Sequence, residues 1–137
     1  MLSIPQGLTE EQFTNLSRKV RTAVAHLGQD VKAHGSRIRG DARADSDLDL
    51  AILVAPERFE ELLGKSFGAP NPGSAKERTM QDARATGKIQ AGEAGLRSLR
   101  RELAADLGME VDISVIREGS EFDQGPYLPL EPGGEED

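Results

Sequence analysis

Apolar residues recur along this chain in two rhythms. Phe13, Leu16, Val20, Val24 and Leu27 are spaced by three and four residues, which places them on one stripe of a helix. Ahead of them, Thr9-Glu10-Glu11-Gln12 has the reciprocal capping pattern, and Gly28 suits the position just past a C-terminus, so the spacing predicts a helix from about Thr9 to Leu27. The rhythm then shortens to two. Val31 to His34 is a short extended run. Leu48, Leu50, Ile52 and Val54 alternate with other residues, as do Val111, Ile113 and Val115 within Glu110 to Ile116. Helical spacing returns at Pro56 to Lys65, with Phe59, Leu62 and Leu63 inward, then at a segment capped by Ser74 and closed by Gly87. It returns once more from about Ala91 to Leu107, with Leu96, Leu99, Leu103 and Leu107 as the stripe and Gly108 after it. Between the first two of these, Phe67 to Gly73 is a turn-rich connector. The order predicts an α/β (α+β) fold: a small mixed sheet flanked by helices, with a helical insertion before the third core strand.

Alternation also sorts the acids. Asp47 and Asp49 fall on the face opposite Leu48, Leu50, Ile52 and Val54, and Asp112 falls opposite Val111, Ile113 and Val115. Two carboxylates two residues apart on a strand originate about 6.5 Å apart, twice the strand rise. At an effective dielectric near 20 they repel by roughly 2.5 kcal/mol, which a cation, an arginine or bulk water must relieve. If the two strands are neighbours, three carboxylates converge. A calcium loop of the EF-hand kind is excluded, because counting from Asp45 it needs glycine at its sixth position and glutamate at its twelfth, where Leu50 and Pro56 stand.

The 137 residues are enough for one domain, expected over residues 1–130, with 131–137 as a disordered acidic tail. No run approaches a membrane span, and Met1 to Gly7 lacks a basic start and a long apolar stretch, so a soluble, leaderless chain is expected. Cysteine is absent, which leaves oxygen donors and two histidines for any metal and favours magnesium or manganese. The net charge of −7 changes meaning once located: residues 118–137 carry seven acids and no Lys or Arg, leaving seventeen acids against seventeen bases in the body. The low pI therefore does not argue against an anionic substrate. Between Gly64 and Arg101 there are eight bases against three acids, which fits either a phosphate-facing or a solvated helical surface.

Gly35-Ser36, Arg37, Arg39-Gly40, Ser46-Asp47-Leu48-Asp49 and the later Asp112 together resemble the signature of the DNA polymerase β-like nucleotidyltransferase superfamily, and most closely its minimal members. The resemblance spans about Val31 to Ile116. It implies the nucleotidyltransferase fold and transfer of an NMP from an NTP. Asp47, Asp49 and Asp112 would bind Mg2+ or Mn2+ in a two-metal mechanism, and Gly35, Ser36, Arg37, Arg39 and Ser46 would bind the nucleotide. From the residues alone, a Gly-Ser pair after a strand is also an ordinary turn, and each arginine could instead pair with an aspartate or face water. The helical insertion is longer than in the minimal enzymes.

The runs Asn71 to Thr79, Thr86 to Leu96 and Leu107 to Ser114 are similar to the nucleotidyltransferase domains at the C-terminal tips of bacterial polymorphic toxins. That likeness implies delivery on a secreted carrier into a bacterial cytoplasm, a macromolecular acceptor (RNA or protein), a cognate immunity protein, and Met1 as an excision start. Alternatives are a non-toxin minimal enzyme that attaches AMP to a partner protein, or a nucleotide-binding module without turnover, which the intact aspartates disfavour. His26 and His34 have no nucleophile motif around them and are expected to be packing or surface residues.

Overall fold

The computed structural model of the protein describes residues 3–130; the expected acidic tail lies outside them. Helix α1 covers Glu10–Ala23, with Thr9 and Gln12 forming the expected capping box. Strand β1 is Val31–His34, the four-residue helix α2 is Ser36–Arg39, and strand β2 is Leu48–Val54. Helices α3 (Pro56–Phe67) and α4 (Ala75–Thr86) follow, then strand β3 (Lys88–Gln90), helix α5 (Arg97–Leu107), strand β4 (Val111–Arg117) and strand β5 (Leu128–Pro129).

The five strands form one mixed sheet in the order β3-β4-β2-β1-β5. Strands β2 and β4 are parallel, joined by the crossover that carries α3, α4, β3 and α5, and the other pairings are antiparallel. Leu48, Leu50, Ile52, Val111, Ile113 and Val115 present one face of the sheet to Leu16, Val20, Phe59, Leu63 and Leu103, and all are buried. Fully burying a side chain of this size contributes about 1.5 to 3 kcal/mol, so the two central strands hold their register with energy well above any repulsion between the polar residues they carry. On the opposite face Ala51, Leu53 and Ile116 form a small second cluster, covered by Tyr127. The Tyr127 hydroxyl donates to Asp123 Oδ1 at 2.7 Å, which ties the segment leading to β5 down on that face.

Several boundaries differ from the expectation, each for a local reason. Helix α1 stops at Ala23, although Val24 and Leu27 remain buried in the turns that follow. Helix α3 runs through Gly64 to Phe67, whose ring is buried. Helix α5 starts at Arg97 rather than near Ala91, because Gly95 takes a positive φ of 78° in the turn that precedes it. Strand β3 was not anticipated: only Ile89 of its three residues is buried, too little to show an alternation.

Arg37, expected among the triphosphate contacts, sits inside the fold. It is only 4% exposed, and its guanidinium donates to the carbonyls of Gln6 (2.7 Å), Ser46 (3.0 Å) and Ala44 (3.2 Å). Gln6 adds a two-way bridge to Ala42, donating from Nε2 to its carbonyl and accepting its N–H. Together they bind the segment from Ala42 to Ser46 to the body of the protein, immediately before Asp47. A planar fork with donors in several directions is needed there, which is why arginine serves and lysine would not. Replacing Arg37 by Lys is expected to lower the unfolding free energy by about 2 to 3 kcal/mol, since buried carbonyls lose charged donors. Urea denaturation measures this, and an unchanged midpoint would show that the brace is dispensable.

Candidate active site

At the end of β1 the chain turns through Gly35 at φ 87°, a conformation that L side chains rarely adopt. A Cβ at this position would also collide with Asp49 Oδ2. The glycine therefore does two things: it makes the turn into α2, and it lets the backbone lie directly against a carboxylate. Ser36 opens α2, whose first N–H groups have no partner within the helix. Arg39, at its other end, is about half exposed, with Nε 3.4 Å from Asp41. Of the two expected phosphate-binding arginines, Arg39 alone remains at the surface. Ser46 closes a turn, its Oγ accepting the Arg43 N–H at 2.9 Å.

Asp49 sits at the centre of the site. Its register partner on β1 is His34, and on β4 it is Asp112. Register partners on adjacent strands share a face, and neighbouring strands lie about 4.8 Å apart. Asp112 thus arrives beside Asp49, on the face that the alternation predicted and through a strand pairing that it left open. Asp47 precedes β2 and is exposed, so the loop held by Arg37, and not the sheet pairing, positions it. The Asp49 carboxyl is pushed up to about 6, first by burial, then by the charges of Asp112 and Asp47; Lys88 and Arg39 oppose the shift. His34 is shifted down from its ordinary value by burial and by Lys88, against the pull of Asp112. Its ring lies 5.8 Å from that of Tyr127.

A hard divalent cation fits this donor set. The carboxylates repel one another and have no Lys or Arg within ion-pair distance among the described residues, and the donors are oxygens. Among the described residues no three acidic or histidine groups converge tightly enough to cage an ion alone. A magnesium ion bound here would take one or two of these carboxylates and fill the rest of its shell from water and substrate phosphates. Beside the carboxylates, a cleft of about 470 Å3 is lined by Asp47, Glu110, Val111 and Asp112 on one side and by Arg100, Arg101 and Ala104 of α5 on the other.

His34 and Lys88 join the site without having been anticipated there. Periodicity carried no signal for either, since their proximity to Asp49 follows from strand order: β1 lies on one flank of β2, and β3 lies beyond β4.

Asp49 supplies a pH test. In the unfolded chain its carboxyl releases its proton near 3.8, and in the fold near 6. The fold binds that proton more tightly, so this group weakens the cation-free protein as pH rises from about 4 to about 6 and leaves it weaker above. Asp49→Asn is expected to raise the thermal midpoint at pH 8 in chelator and to change it little at pH 4. After allowance for solvent screening the gain is roughly 1 to 2 kcal/mol. Equal gains at both pH values would remove the charge repulsion from the account.

The model of a family described as nucleotidyltransferase domain matches residues 16–129. No curated protein and no solved structure matches the chain. The matched span runs from within α1 to the end of β5, so it takes in every strand of the sheet, the Gly35-Ser36 turn and all three aspartates. The mixed sheet flanked by helices is consistent with the fold of that family, and the chain belongs to the nucleotidyltransferase domain family, whose general activity is transfer of a nucleoside monophosphate.

Proposed function

We propose that this chain moves an NMP from an NTP to a hydroxyl group of a macromolecular acceptor, with Mg2+ or Mn2+ as cofactor. The observation that carries the reading is the in-register pairing of Asp49 with Asp112, directly against Gly35. Asp47, Asp49 and Asp112 would hold the cations, which when bound neutralise the triphosphate and acidify the acceptor hydroxyl in the two-metal manner. Gly35 lets the backbone approach the triphosphate, and the Ser36 hydroxyl and Arg39 guanidinium donate to its β and γ oxygens. Ser114 Oγ lies 3.4 Å from Asp112 Oδ2 and orients that carboxylate, leaving Oδ1 to take the acceptor's proton. The acceptor oxygen bonds to the α-phosphorus, the bond from that phosphorus to the bridging oxygen breaks, and pyrophosphate leaves.

The likeness of Asn71 to Thr79, Thr86 to Leu96 and Leu107 to Ser114 to toxin-borne domains supports a role as the tip of a secreted polymorphic toxin. Such a domain would act in a bacterial cytoplasm and be restrained by an immunity protein. In that case expression of the wild type in bacteria arrests growth, and the Asp47→Asn/Asp49→Asn double variant does not. Harmless wild type would favour a non-toxin enzyme of the same chemistry.

Catalysis is tested by incubating the protein with each α-labelled NTP, magnesium and a bacterial extract. The wild type is expected to label a macromolecule, with Asp49→Asn and Asp112→Asn each reduced by roughly a hundredfold or more, equivalent to several kcal/mol of transition-state stabilisation. Absence of label with all four nucleotides would leave a nucleotide-binding module as the reading.

A further inference from the structure

Of the three aspartates, Asp47 is the one that no strand holds. From Asp41 to Asp47 no residue is buried, so apolar packing does not fix this loop either. Hydrogen bonds set its place, and Gln6 is central to them. The Gln6 N–H donates to the Arg37 carbonyl at 2.8 Å, and the Gln6 carbonyl accepts from the Arg37 guanidinium at 2.7 Å. Its side-chain amide treats Ala42 in the same two-way manner, Nε2 donating at 3.0 Å and Oε1 accepting at 2.9 Å. All four polar groups of one residue are thus engaged by α2 and the loop that follows it.

The segment that carries Gln6 is seated on the same arginine. Pro5 is buried, Leu8 packs on the core, and a Cβ at Gly7 would lie 2.5 Å from Arg37 Nη1, so the backbone runs flat against the guanidinium. Residues 3–8 form neither helix nor strand, and irregular backbone of this kind opens at lower free energy than a packed sheet does. They also lie outside the span 16–129 matched by the nucleotidyltransferase domain family. A part of this chain beyond the matched domain therefore holds the loop that delivers Asp47.

We propose, resting on the reading of Asp47 as a cation ligand, that residues 3–8 are a clasp on the cation site. Gln6 is a positioning residue for Asp47, and closing of the clasp and binding of a divalent cation favour each other. Magnesium demands near-octahedral oxygen geometry, so a carboxylate serves it well only when held in one place. The sheet holds Asp49 and Asp112; the clasp and Arg37 hold Asp47. Coupling of this kind is reciprocal: if the closed clasp raises cation affinity, a bound cation holds the clasp closed by the same factor. Detaching the segment lowers cation affinity and leaves the sheet folded.

Mn2+ alone is the probe, its binding to the full chain read from the loss of the free-ion paramagnetic resonance signal, with no nucleotide and no turnover. Asp47→Asn and Gln6→Ala are each expected to weaken it, Gln6→Ala by roughly tenfold, the low end for groups that orient a metal ligand without touching the metal. Arg58→Ala is the comparison. Arg58 donates to the carbonyls of Leu27 at 3.3 Å and His26 at 2.7 Å, in the helix that follows the far end of β2, so its loss weakens the fold but should leave Mn2+ affinity unchanged. Thermal melting shows that the variants are folded. Hydrogen exchange of the wild type needs no substitution: the Gln6 and Ala42 amides donate within the clasp, and saturating Mn2+ is expected to slow their exchange by up to about the same tenfold factor, but not in Asp47→Asn. Wild-type affinity in Gln6→Ala, or an equal loss in Arg58→Ala, would overturn the clasp and leave the cation reading standing. Exchange at Gln6 and Ala42 that ignores Mn2+ would do the same. Mn2+ affinity that Asp47→Asn does not alter would remove Asp47 as a ligand, and the clasp's role with it.

Discussion

Two carboxylates on neighbouring positions of adjacent parallel strands repel each other, by about 3 kcal/mol at 5 Å and an effective dielectric near 20. Asp49 and Asp112 stay together because the residues alternating with them cannot move. Leu48, Leu50 and Ile52 on β2 and Val111, Ile113 and Val115 on β4 are packed under the helices, and slipping either strand by one residue would expose the whole set. Hydrophobic burial on one face of the sheet thus holds an electrostatic strain on the other. A cation bound there, as the proposed function requires, would relieve that strain.

The parts around this pair are matched to it. Gly35 brings backbone against Asp49 without a side chain between them, and the same positive φ starts α2 and sends Arg39 to the surface. Arg37, two residues earlier than Arg39, points the other way and is engaged by backbone carbonyls. Its work is to hold the loop that delivers Asp47, which no strand pairing controls. One short helix therefore supplies both a buried structural arginine and one at the surface.

The site is asymmetric about β2. On the β1 flank are the glycine turn and Arg39; on the β4 flank are Asp112, Ser114 and the α5 arginines. The crossover from β2 to β4 had to pass over the buried face, and its last helix brings Arg100 and Arg101 to the open end of β4 while burying Leu103. A helix whose apolar stripe anchors it in the core is a rigid platform for the cations on its other side. The helix-free face near Ala51 and Leu53 is closed by Tyr127, whose hydroxyl is held by Asp123, so the segment after β4 confines the site on that side.

Much of this was legible in the chain itself. The capping box at Thr9, the stripe of α3, the caps of α4 at Ser74 and Gly87, and the alternation around Asp49 and Asp112 are local properties, set by spacing within a few residues. So was the conjunction of Gly35-Ser36 with the paired aspartates. What spacing could not decide was anything that depends on which strand lies beside which. That Asp112 stands next to Asp49 with Gly35 across from it, that His34 and Lys88 enter the same field, and that Arg37 is taken up by carbonyls from Gln6 to Ser46 all come from pairing and packing over long separations. Local periodicity chooses the face a side chain takes; only the closed sheet and its core choose the neighbours that it meets there.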